Sequence, residues 1–299
     1  MTRLRHRSTE PEWMDGEDVS AAEFAACVED LARVNTVTMA RPPTLAFVDR
    51  AVRAAPEGAV LTIVDVGFGA GDMLRAVARH LSGSGRTARL IGYDINPRSE
   101  PVARRLTPAH LGIDFRTGNA FDIGQEEPVD LVISSLVTHH MTDTEIVQFH
   151  GWMENRARLG WFVNDLHRHW FSFHGFRLLS AVMRWHPFVR HDGPLSIARS
   201  FRRADWQVLL EQAGLVGKAL QVRSQPFQVR DAGQHVGGVL FDHGSHVFAG
   251  CRSPVPEAHD PADLAEREPE GLSRPDERQP VGPRGGVVAL PVCQPGRGG

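Results

Sequence analysis

Residues 61–72 read Leu-Thr-Ile-Val-Asp-Val-Gly-Phe-Gly-Ala-Gly-Asp, and this stretch decides the fold. The β-branched run Ile63, Val64 and Val66 has the pattern of a strand buried on both faces. It leads into glycines at alternate positions, Gly67, Gly69 and Gly71. An amphipathic stretch over 73–81 follows, with Leu74, Val77, Ala78 and Leu81 at helical spacing. Strand, glycine turn and helix in that order form the entry to a nucleotide-type site in a doubly wound α/β sheet. Glycine lets the backbone take positive φ and lets a ligand approach where a Cβ would block it.

The surroundings repeat the rhythm. Upstream, Ser20 and Glu23 have the spacing of a capping box ahead of an apolar helical face (Phe24, Cys27, Val28, Leu31, Val34), and Pro42-Pro43 opens a second helix. Downstream, buried strands are expected over 89–94, 113–118, 129–135 and 159–165, with a helix over 143–158. Strands alternating with helices at this spacing predict a parallel sheet with right-handed crossovers. Residues 166–202 break the pattern, crowding His167, His169, Trp170, Phe173, Phe176 and Trp185 into one insertion. These aromatics suit a helical layer on the sheet and the wall of an apolar pocket equally well. Residues 191–194, His-Asp-Gly-Pro, read as a turn in which Asp192 orients a histidine. A helix over 203–213 and strands near 218–223 and 245–251 close the domain, with 231–238 a loop between them.

The division that follows is a flexible N-terminus (1–17), a helical cap (18–55), a catalytic domain (56–252) containing the aromatic insertion (166–202), and a disordered tail (253–299). The tail holds nearly half of the 20 prolines and few aliphatic residues, too little to offset its ordering entropy. The net charge of −3 argues against a nucleic-acid surface. Lys218 is the one lysine, and the arginine excess is read as a base-composition effect. Three scattered cysteines (Cys27, Cys251, Cys293) make no metal or disulfide pattern and fit a reducing cytoplasm. No run reaches the ~18 apolar residues of a membrane helix, and the N-terminus lacks an apolar signal core.

Residues 64–71 resemble the first motif of the class I S-adenosylmethionine (SAM)-dependent methyltransferases. Asp94, followed by Ile95, stands where that family keeps the acid that holds the ribose hydroxyls. Asn119-Ala120 stands where an Asp-Ala pair meets the adenine amine, and 129–132 with Ser134 resembles the fourth motif, along the methionine part. The similarity spans about 53–251. Its later part, His139-His140 and 213–215, resembles the quinone-biosynthesis branch, and 164–168 with the N-terminal helices resembles bacterial enzymes acting on phenolic or polyketide-derived lipids. The resemblance implies a Rossmann-like, doubly wound, seven-stranded, mainly parallel sheet with its last strand antiparallel.

The chemistry of the residues agrees. A dinucleotide fingerprint would want glycine at position 72, where the chain has Asp72. Asp94 can accept two hydroxyl hydrogen bonds. Asp65 would accept bonds from loop amides or approach the cation of the methionine moiety. Asn119 loses the charge of the commoner aspartate, but its amide oxygen still accepts from an amine. The expected cofactor set is therefore Asp65, Gly67, Gly69, Gly71, Asp94, Ile95, Asn119, Ala120 and Ser134, with SAM as cofactor. A phenol acceptor, of pKa about 10, benefits from a base, and His140, then His139, then His167 stand near the carboxyl ends of strands where such a base is wanted. His167-x-His169 with His174 lacks a cysteine partner or helical spacing, so no metal is expected. The function expected is O-methylation of a hydrophobic aromatic, quinone-like or polyketide-derived small molecule. C- or N-methylation, or a non-catalytic SAM-binding protein, are the alternatives.

Overall fold

β1 (Leu61–Val66) is the middle of the five parallel strands in the computed structural model, which describes residues 4–215, 223–224 and 246–251. All six of its residues are buried, as a strand covered on both faces requires. β2 (Ala88–Asp94) and β4 (Leu131–Ser135) flank it in parallel. β3 (Asp114–Thr117) pairs outside β2, and β5 (Gly160–Asp165) outside β4. The parallel order β3-β2-β1-β4-β5 reverses direction between β1 and β4, which opens a crevice at their carboxyl ends. Beyond β5 the backbone ladder continues antiparallel with His246–Cys251, which pairs in turn with Arg223–Ser224. The expected segment 218–222, the loop 231–238, Cys293 and the tail 253–299 lie outside the described residues.

Strand alternation sends successive side chains into two cores. Ile63, Leu131, Ile133 and Phe162 pack against α2 (Pro42–Ala54) and α3 (Asp72–Gly83). Val64, Val66, Val132 and Trp161 pack against α5 (Asp143–Arg156) and α8 (Arg203–Gln212). The short α4 (Ser99–Leu106) lies beside β3. α1 (Ala21–Val37) begins at the expected capping box, Glu23 N donating to Ser20 Oγ and Ser20 N to Glu23 Oε2. Thr142 and Glu145 form a second capping box at the start of α5. α1 packs Phe24 and Val28 against Ala70 and Val102, and Cys27 and Val34 against the aromatic insertion. It roofs the carboxyl ends of the strands.

The insertion is a helical hairpin, α6 (Trp170–Val182) and α7 (Pro187–Arg199). Its residues 191–194 are helical, not the expected turn. α6 packs against α7 with no room for a side chain at Gly193, where a Cβ would stand 2.1 Å from Phe176 Cε1. That packing outweighs the local turn signal and the hydrogen bond lost at Pro194. Asp192 does contact His191, Nδ1 to Oδ1 at 2.7 Å, and its carboxylate also accepts from the N–H groups of Trp13 and Met14.

The N-terminal segment was expected to be mobile, yet residues 4–16 are tied down. Leu4 is buried, Arg7 donates to Met141 O, Arg199 O and Asp143, and Glu12 is 4% exposed. Polar composition misleads here because the anchoring partners come from far along the chain. Among the described residues no helix is long and apolar enough to cross a membrane.

Candidate active site

A cavity of about 680 Å³ opens at the carboxyl ends of β1 and β4, under α1. Its floor is the glycine turn. Gly67 has φ +79° and donates its N–H to Tyr93 O at 2.7 Å; a Cβ there would stand 2.3 Å from Val137 Cγ2. Gly69 has φ +51° and faces open space, with nothing within 4 Å of its missing Cβ. Positive φ accounts for both glycines, and the close approach of Val137 is a second reason at Gly67.

Two carboxylates stand over the turn. Asp94, at the end of β2, accepts from Gly69 N at 2.8 Å and from Asn96 N at 2.9 Å. Burial raises its carboxyl, and those two amides pull it back part of the way. Asp65, 1% exposed, lines the cavity, and neither of its oxygens has a hydrogen-bond partner among the described residues. Burial, then the negative charges of Asp72 and Asp94, push its carboxyl well above the usual aspartate range. An orphaned buried acid of this kind calls for a cationic or hydrogen-bond-donating ligand.

The opposite wall carries histidines. His139 and His140 end a 3-10 turn, Thr138–His140, that follows β4. His139 Nδ1 lies 2.7 Å from Asp165 Oδ1, at the end of β5. Asp165 also accepts from Thr138 Oγ1, from His139 N and from Leu166 N. Burial alone would lower the His139 imidazole, but Asp165 and then Glu12 outweigh it, and the net shift is upward. Asp165 is held low by His139 and its hydrogen bonds, against the effect of burial. His140 is pushed down to about 3 by burial and by the neighbouring His139. In the neutral tautomer that donates Nδ1–H to Asp165, Nε2 is the acceptor nitrogen of the His139 ring, which lines the cavity.

The structure gathers most of the expected set around this opening: Asp65, Gly67, Gly69, Asp94, Ile95 and Ala120 on one side, His139 and His140 on the other. Four residues fall elsewhere. Gly71, φ +74°, caps α3 and packs on Phe115, where a Cβ would stand 2.7 Å away. Asn119 spends its Oδ1 on Phe121 N, capping the turn Ala120–Asp122. Ser134 points into the sheet and donates to Val66 O, while Ser135 takes the cavity position. His167 is carried away because the chain after β5 bridges to Phe201, and Arg168 locks it there through Ser200 O and Asp205.

Other residues were missed. Asp165 ends β5 as Asp94 ends β2, so its strand-end position was a readable signal. Glu12 and Ser196, joined at 2.8 Å across 184 positions, carried none. Of the insertion's aromatics, Phe176 lines the cavity; Phe173 and Trp185 pack beside it in the same cluster, and Trp170 is exposed.

Residues 63–159 match the methyltransferase-domain family. A ubiquinone biosynthesis O-methyltransferase from Nitrobacter winogradskyi is 28% identical over 177 residues, covering 56% of this chain. The chain thus spans 64% of the length of that curated relative. The plantazolicin methyltransferase BpumL, solved with a triazolic desmethylPZN analog and SAH, superposes with a TM-score of 0.56 at 12% identity, covering 78% of this chain and 97% of its own. Human N-acetylserotonin methyltransferase, solved with SAM, gives a TM-score of 0.50 at 15% identity, covering 78% of this chain and 56% of its own. Strand order, glycine turn, strand-end acid and matched domain together support a class I SAM-dependent methyltransferase.

Proposed function

We propose that the chain transfers the methyl group of SAM to a hydroxyl of a hydrophobic aromatic, quinone-like or polyketide-derived acceptor. The observation that carries this reading is one cavity with two chemically different ends: an acidic glycine floor, and a histidine wall beside apolar side chains such as Leu31, Leu166, Phe176 and Ile197. SAM fits the first end. It brings ribose hydroxyls for Asp94, an ammonium group for the orphaned Asp65, and bulk for the open space at Gly69. Ile95 and Ala120 would flank the adenine. The bound sulfonium supplies an electrophilic methyl group.

The chain's own residues do the rest. The roof, α1 with the insertion, excludes water and orients the acceptor, and alignment supplies much of the rate in a displacement reaction. His139 takes the hydroxyl proton at Nε2, and Asp165 steadies the imidazolium that results. The raised basicity of His139 suits it for that role better than His140, whose imidazole is a weak base. The likeness to the ubiquinone biosynthesis O-methyltransferase supports oxygen as the methylated atom. The same reading carries a seven-stranded sheet, supported by the antiparallel ladder on β5, the division into cap, catalytic domain and tail, and a role in secondary metabolism in a reducing cytoplasm.

The test is incubation of the full chain with SAM and a panel of phenols, quinols and amines, with products identified by NMR. O-methylated phenol or quinol is the expected product. N- or C-methylated products would redirect the acceptor assignment. Calorimetry showing no binding of SAM or its demethylated product, while NADH binds, would overturn the reading.

A further inference from the structure

Glu12, His139 and His140 meet at the cavity wall without bonding to one another. His139 Nε2 stands 3.8 Å from Glu12 Oε1, and His140 Nε2 stands 3.9 Å from Glu12 Oε2. These separations exceed hydrogen-bond length. One donor atom from each residue lies within 4.8 Å of the other two, around a common point. Each side chain is backed from behind. Asp165 holds His139 at Nδ1, 2.7 Å away, and Asp15 stands 3.6 Å from His140 Nδ1. Ser196 Oγ donates to Glu12 Oε1 at 2.8 Å. The guanidinium of Arg199 spans the carbonyls of Glu10, His139 and His140, fixing the two segments that carry the three side chains.

We propose that Glu12, His139 and His140 form a binding site for a divalent transition-metal ion, with Zn²⁺ the best match. Two imidazole nitrogens and one carboxylate oxygen are a zinc donor set, and three protein ligands with a fourth position open are the arrangement of an accessible zinc centre. Carboxylates behind the ligating histidines are the usual outer support of such a centre. Bonds of about 2.0–2.1 Å in a tetrahedral set place ligand atoms about 3.3 Å apart, so pairs now within 4.8 Å need to close by up to about 1.5 Å. All three line the cavity, so the open position faces the acceptor.

The inference deepens the methyl-transfer reading and rests on it for its consequence. In the ion-free chain His139 Nε2 accepts the hydroxyl proton. In the loaded chain that nitrogen is a ligand, and the cation lowers the pKa of the hydroxyl so that solvent takes the proton. In both forms the O–CH₃ bond forms as the S–CH₃ bond breaks, and the electron pair stays on sulfur as a thioether.

The full chain, stripped with EDTA and dialysed, is titrated with zinc sulfate by calorimetry and the bound metal counted by elemental analysis. Cobalt(II) chloride in a parallel sample reads coordination through its visible absorption. One ion per chain with a tetrahedral cobalt spectrum is expected. Glu12→Gln and His140→Ala should each weaken zinc by at least about 10- to 100-fold, and Asp165→Asn by a similar factor through the outer support. SAM affinity, measured on the same samples, should be unchanged. Absence of zinc binding, or binding unaltered in Glu12→Gln and His140→Ala, would sink the site, the latter by showing that the ion sits on other histidines. SAM binding without zinc binding defeats the ion alone; zinc binding without SAM binding defeats the methyl-transfer reading alone.

Discussion

The groups that shape the glycine end of the cavity, Asp65, Gly67, Gly69, Asp94 and Asn96, lie within two strand-to-turn segments; the histidine end draws Glu12, His139, Asp165 and Phe176 from four separate segments. The first end is made largely of backbone geometry: positive φ at the glycines, amides donating to Asp94, a strand that stops at the right residue. The second is made of side chains that meet only after the N-terminal segment has crossed α7 and the 3-10 turn has folded beneath β5's end. Local geometry tolerates little change in residue type. A long-range assembly fails when one anchoring contact is lost.

The comparison can be broken most sharply at Asp165. Asp165→Asn removes the charge behind His139 and should lower turnover by about 100- to 10,000-fold. SAM affinity should stay the same, because Asp165 belongs to the other end; rapid-quench kinetics beside calorimetry checks both halves. Asp94→Ala is the mirror experiment. Losing a charged acceptor of two hydroxyls should weaken SAM by roughly 100- to 10,000-fold, at about 1.5–3 kcal/mol per bond, and calorimetry reads it.

Gly67→Ala tests whether the glycine end is backbone-limited. Left-handed φ plus a Cβ driven 2.3 Å from Val137 Cγ2 should cost about 2–4 kcal/mol, seen as a lower midpoint in urea unfolding. Asp65 sharpens the comparison through pH. A carboxyl raised by burial contributes stability that is full below the ordinary aspartate value of about 3.9 and is lost as pH rises through its folded value. In the ligand-free chain Asp65 therefore holds a proton at pH values where a free aspartate has lost it. Binding an ammonium group there expels that proton, so SAM should bind more tightly as pH rises through the folded value. Calorimetry in buffers of different ionisation heat should show proton release, and Asp65→Asn should abolish it. The smallest effect belongs to Asn119→Ala. With its Oδ1 spent on Phe121 N, this change should cost roughly 1 kcal/mol of stability and leave SAM affinity within about threefold.

Asp94 was legible because it ends a strand of obvious pattern, one β-α unit after the glycines. Asp165 has the same strand-end signature, but His167, two residues on, carries the more obvious general-base side chain. Ser134 and Ser135 show the limit of motif matching: strand alternation gives neighbouring residues opposite faces, and a motif does not say which one faces the ligand. Asn119 shows another limit, since an Asx side chain has a competing local use that sequence position does not reveal.

By itself the sequence determined the element order, the parallel core of the sheet and the glycine-acid end of the cavity. Those follow from periodicity and from backbone conformations that single residues dictate. Tertiary structure alone decided that residues 4–16 are anchored, that 191–194 stay helical, that His167 leaves the cavity, and that Glu12 meets His139 and His140. Each depends on contacts between segments far apart in the chain, whose free energy comes from burial and complementary hydrogen bonds and leaves no local periodicity to read.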